Sequence, residues 1–104
     1  MTVVRILGTD MPITISATLL EDEALGTYSP VRAEIEIYRD VTPQNAGEIL
    51  VHEILEAISY KLELKLKHQQ ISAVASALHQ AMRDNPHLFG RIAGGLHPVE
   101  DACE

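Results

Sequence analysis

Two periodicities divide the chain near residue 41. Upstream, β-favouring residues come in short runs: Val3-Val4-Arg5-Ile6-Leu7, then Ile13 to Leu19, then Val31 to Tyr38. The third run, Val31-Arg32-Ala33-Glu34-Ile35-Glu36-Ile37-Tyr38, alternates apolar and polar positions as a half-buried strand does. Turn-forming clusters at Gly8 to Pro12 and Gly26 to Pro30 separate the runs, and Glu21-Asp22-Glu23 reads as a solvated loop. This half predicts three or four antiparallel strands.

Downstream the period becomes helical. Thr42 suits a helix cap and Pro43 the first helical position. Ile49, Val51, Ile54, Leu55, Ala57, Ile58 and Leu62 then form a broad apolar face, which predicts a largely buried helix reaching Lys61. A second helix is predicted from His68 to Arg83, with Ile71, Val74, Ala75, Leu78 and Met82 three or four residues apart. Asp84-Asn85-Pro86 ends it, because the residue before proline resists the α conformation. Ile54, Ile58, Ile71 and Leu78 are the predicted core. The joint, Leu62-Glu63-Leu64-Lys65-Leu66-Lys67, alternates like a strand and equally suits a continued helix. Lys67 is a poor N-cap. From Gly90 the periodicity is lost, which predicts a loosely held tail over 91–104. The pattern is that of an α+β fold: a small antiparallel sheet packed against two main helices, in one domain over residues 1–90.

Composition narrows the classes. A length of 104 residues suits one domain, and 46% hydrophobic with 22% charged residues describes a globular chain rather than a disordered one. Eight Lys+Arg against 15 Asp+Glu give a formal charge of −7, which argues against nucleic-acid binding. The single cysteine, Cys103, excludes an intramolecular disulfide framework and reads as an incidental thiol. No apolar run approaches the roughly 20 residues of a membrane span, so the chain reads as soluble and cytoplasmic.

The informative stretch is His52-Glu53-Ile54-Leu55-Glu56 on the first helix. Residues four apart lie on one face, so His52 and Glu56 can point at a single ion. Glu53, one position round, would flank that ion and accept a proton from an activated water, as in the zinc-peptidase helix HExxH. Here Glu56 stands where the second histidine would be. The helix is markedly apolar, and burying two unpaired polar groups in it is costly; a metal would satisfy both. His68, three residues before Ile71, shares the core-facing side of the second helix, and a helical hairpin brings it against the His52/Glu56 face. Two histidines and a carboxylate are a known catalytic zinc set.

A plainer reading stands beside this one. His52, Glu53 and Glu56, with Glu48 and Glu63, also suit a solvated helix face with Lys61 supplying local pairs, and His68 suits a surface position near a helix start. His79 reads as a core-edge residue, His87 and His97 as loop residues, and Asp84 and Asn85 as helix terminators. The alternatives to a zinc hydrolase are a catalytically degenerate domain and a metal-free helical hairpin, each working by protein binding.

Beyond the short motif, the chain resembles small phage- and prophage-associated zincin-like proteins, a minimal metallopeptidase-like family. The resemblance is carried by Leu25-Gly26-Thr27-Tyr28, Ala33-Glu34-Ile35-Glu36-Ile37, His52-Glu53-Ile54-Leu55-Glu56-Ala57-Ile58, His68-Gln69-Gln70-Ile71, and Leu78 to Pro86. It implies a zincin-like fold in which a small sheet with an edge strand borders a cleft, with His52, Glu56 and His68 as zinc ligands and Glu53 as general base. It also implies a peptide or protein as substrate or partner. If the strand Val31 to Tyr38 lies at the sheet edge, it would align that peptide through main-chain hydrogen bonds.

Overall fold

The computed structural model describes residues 2–20 and 24–95, which form an α+β fold of four strands and three helices. Strands β1 (Thr2–Ile6) and β2 (Thr9–Ser16) make a hairpin about Leu7 and Gly8. Both turn residues have positive φ, +48° and +84°. That left-handed pair matches the twist of the flanking strands. Strand β3 (Gly26–Ser29) pairs antiparallel with β4 (Glu34–Tyr38), and the sheet order is β1-β2-β4-β3.

The sheet is mixed rather than wholly antiparallel. β2 and β4 run parallel, with Ile13 opposite Ile35 and Ile15 opposite Ile37. The cause is the placement of β3. After β2 the chain crosses to the far edge, forms β3 there, and returns inward as β4 in the direction of β2. Gly26 to Pro30, expected as a turn, therefore supplies an edge strand, and β4 lies inside the sheet. Burial of Ile35 and Ile37 at 0% and 5% exposure fits β4 for the interior position.

Helix α1 (Pro43–Lys61) starts as its sequence predicts, with Thr42 Oγ1 accepting from the Asn45 amide at 3.2 Å. It lies across the sheet, where Ala57, Ile54 and Ile58 pack on Ile6, Met11, Ile35 and Ile37. Helix α2 (His68–Asp84) ends at the Asp-Asn-Pro turn, and α3 (Pro86–Gly94) follows directly. That third helix carries regular structure past residue 90, where a loose tail was expected, and His87 is exposed on it rather than in a loop. Among the described residues no helix is long and apolar enough to cross a membrane. The loop Glu21-Asp22-Glu23, residues 96–104 of the tail, His97 and Cys103 lie outside the described residues.

One core assignment is corrected. The buried residues of α2 are Ile71 and Ala75, and the half-buried His79 continues their row at i+8, rather than a row through Leu78. His79 fits there because Gly47 of α1 has no side chain: a Cβ at Gly47 would come within 2.8 Å of His79 Nε2. Leu78, about 100° away around the helix, is turned outward with Val74 and Met82 and is 37% exposed.

Candidate metal centre

The middle of α1 carries three adjacent polar roles. His52 and Glu56 lie one turn apart, with His52 Nε2 3.5 Å from Glu56 Oε1. Glu53 points instead towards the sheet and is 6% exposed. Its neighbour there is β3: a Cβ on Gly26 would collide with Ile49 Cγ2 and stand 3.2 Å from Glu53 Oε2. Glycine at position 26 is thus what lets the edge strand close over the helix, a role missed when Gly26 was read as a turn residue.

His68 reaches this face because of the α1–α2 joint, which is neither strand nor continued helix. Glu63 and Lys65 both take positive φ, +53° and +55°, and reverse the chain within a few residues. Ser59, buried on α1, holds that reversal in two places. Its carbonyl accepts from the Leu64 amide at 2.9 Å, and its hydroxyl accepts from the Leu66 amide at 3.1 Å. Lys67, a poor cap by side chain, is helped by Gln70, whose Oε1 accepts from the Lys67 amide at 2.8 Å. A glutamine three residues into a helix is the legible half of a capping box, and it marks where α2 begins.

With the hairpin closed, His68 Nδ1 lies 3.9 Å from Glu56 Oε1, and the rings of His52 and His68 are 5.1 Å apart between centroids. One donor atom from each of His52, Glu56 and His68 lies within 4.8 Å of the others. Tetrahedral ligands at zinc's usual bond lengths stand ~3.3 Å apart. The His52–Glu56 pair at 3.5 Å is already near that spacing. The His68 side chain, 80% exposed, has room to move the remaining distance. His79 does not join the cluster; its Nδ1 faces Glu48 Oε1 at 4.0 Å.

Beside the cluster is a cavity of about 260 Å³, walled by Gly26, Thr27 and Tyr28 of β3 and by His52, Glu53, Glu56 and His68 of the helices. The strand bordering the site is therefore β3, and the Val31 to Tyr38 run is not the edge. Among the described residues no hydrogen-bond donor or ion pair reaches the Glu53 carboxyl. Burial, with a smaller contribution from the Glu56 charge, pushes its pKa up to about 7. A carboxyl poised near neutrality is suited to exchanging protons at the cavity wall. Compared with protein-family profiles, curated proteins and solved structures, the chain finds no match.

Proposed function

We propose that this protein is a zinc-binding, zincin-like domain that hydrolyses peptide bonds, with His52, Glu56 and His68 as the metal ligands and Glu53 as the general base. The observation that carries the reading is the convergence of three ligand-type side chains from two helices within 4.8 Å, next to a buried carboxyl. Zinc held by His52, Glu56 and His68 would supply Lewis-acid chemistry, acidifying a water and polarising a carbonyl. The chain's own residues do the rest. Glu53, in the cavity wall, takes the proton from the attacking water and returns it to the leaving amine. Thr27 and Tyr28 of β3 border the same cavity. The lone thiol, Cys103, suits a reducing cytoplasm.

The departure at Glu56 has a chemical consequence. A carboxylate in place of a neutral imidazole makes the ligand set one unit more negative, which makes water at the metal less acidic. The same change strengthens cation binding. A second reading, a metal-holding domain that binds a partner without turnover, is favoured by this carboxylate and by the wide exposure of His68. Two measurements separate the readings: zinc per chain in protein purified without added metal, and hydrolysis of an unfolded protein with Glu53→Gln as control. One zinc per chain with Glu53-dependent hydrolysis supports the peptidase. Zinc without hydrolysis supports the binding domain, and absence of zinc removes both.

A further inference from the structure

Both nitrogens of the His68 ring have an oxygen beside them. Nδ1 faces Glu56 Oε1 at 3.9 Å, and Nε2 lies 3.4 Å from the hydroxyl of Ser72, one turn further along α2. We propose that Ser72 is a positioning residue of the candidate metal centre. Its hydroxyl accepts the Nε2 proton of His68, which leaves the Nδ1 lone pair as the one presented to the ion. The proposal rests on the metal-binding part of the reading above and not on turnover.

The chemistry follows from the imidazole itself. Its neutral form carries one ring proton and one free nitrogen lone pair, so fixing the proton decides which nitrogen can ligate. Turning the ring over does not let the two nitrogens trade places. That rotation puts carbon atoms where Nδ1 and Nε2 now stand, and it removes the approaches to Glu56 and Ser72 together. A hydroxyl suits the outer position, because its oxygen accepts from the ring while its own hydrogen stays free to turn elsewhere.

The support is firmer than the residue it holds. Ser72 follows Ile71, which is buried, so the packed face of α2 sets where Ser72 stands. Ser72 is itself half-buried and lines a cavity of about 180 Å³ between α1 and α2, a cavity it shares with His52. His68 is the first residue of α2, and its side chain is 80% exposed. Burial therefore does little to hold its ring, and the hydroxyl one turn away restrains it from the outer side. Outer partners of this kind orient a histidine ligand and commonly change metal affinity by about 10–100-fold.

The test uses the full chain with histidine ¹⁵N-labelled, loaded with one equivalent of zinc, and follows the His68 ring by NMR. Wild type is expected to hold zinc through Nδ1 of His68, with the proton on Nε2. Ser72→Ala should weaken zinc binding ~10-fold in a chelator competition and show His68 bound through Nδ1 and Nε2 in mixture. Alanine is the better helix former, so that loss should come without a fall in thermal stability. Ser72→Thr keeps the hydroxyl and should stay within ~3-fold of wild type, as should Ser76→Ala one turn further on. Zinc bound through Nε2 of His68 in wild type would overturn the proposal. So would a Ser72→Ala protein that keeps wild-type affinity and Nδ1 alone, or an equal loss in Ser72→Ala and Ser72→Thr. In those cases zinc is still bound, and the metal-binding reading stands without Ser72. If wild type takes up no zinc, that reading fails and Ser72 loses its role with it.

Discussion

His52 and His68 belong to different helices and are separated by an entire chain reversal, yet their rings lie 5.1 Å apart, inclined at 56°. Glu56 Oε1 stands between them, 3.5 Å from one imidazole and 3.9 Å from the other. Neither histidine has a backbone reason to be there. The Ser59-anchored joint and the burial of Ile71 against α1 hold the pair together.

If these three residues hold zinc, removing any one removes a bond. His52→Ala, Glu56→Ala and His68→Ala should each weaken zinc binding by about 100-fold or more in a chelator competition. His79→Ala and His87→Ala should change it less than about 3-fold. Glu56→His should preserve binding, because imidazole coordinates at nearly the same distance as a carboxylate oxygen. Loss of binding on His79→Ala with His68→Ala silent would reassign the third ligand.

Glu53 has a different expected signature. Glu53→Gln should leave zinc content at the wild-type level while lowering kcat on a peptide substrate by about 10²–10⁴, the usual contribution of a positioned base. Loss of zinc from this variant would make Glu53 a ligand instead.

The same residue should leave a mark on stability in metal-free protein. Its folded pKa of about 7 lies above the ordinary 4.5, so between these values the native state binds more protons than the unfolded state. Its contribution is fully present below about pH 4.5 and is lost as pH rises through 7. Relative to Glu53→Gln, wild type should lose up to about 3 kcal/mol of unfolding free energy across that window. Urea denaturation at pH 4.5, 6 and 8 reads the difference, and parallel pH profiles for the two proteins would refute it.

Gly26 should be intolerant of even one methyl group. Gly26→Ala forces β3 away from Ile49 and Glu53, and overpacking of this kind typically costs about 1–3 kcal/mol. The shift should also expose Glu53 to water and bring its titration down towards the usual carboxylate range. Unchanged stability would mean that β3 adjusts freely over α1.

The two apolar positions of α2 should separate clearly. Ile71, 1% exposed, should cost about 2–5 kcal/mol on truncation to alanine. Leu78, at 37% exposure, should cost less than about 1 kcal/mol. Equal costs in thermal or urea unfolding would restore Leu78 to the core.

Local chemistry was enough to place several elements in advance. Thr42-Pro43 begins α1 and Asp84-Asn85-Pro86 ends α2, because caps and prolines act on the backbone within one turn. The His52/Glu56 pair was legible for the same reason: a spacing of four fixes a shared helix face whatever surrounds it. The change of period near residue 41 was sufficient to establish an α+β chain, since strand and helix faces repeat at different intervals.

Other features depended on contacts between residues distant in sequence. β3 is short, and none of its residues is fully buried, so nothing in Gly26-Thr27-Tyr28-Ser29 distinguishes an edge strand from a turn until β4 pairs with it. The parallel β2–β4 pair follows from that crossover and not from the alternation of either strand, because alternation records faces and carries no direction. That half-buried His79, and not Leu78, faces α1 depended on Gly47, more than thirty residues upstream. His68 meets Glu56 because Ser59 holds the joint, and Glu53 is raised to about 7 because Gly26 lets β3 exclude water from it. Sequence periodicity fixes which way a side chain leaves its own element; only packing decides what it meets there.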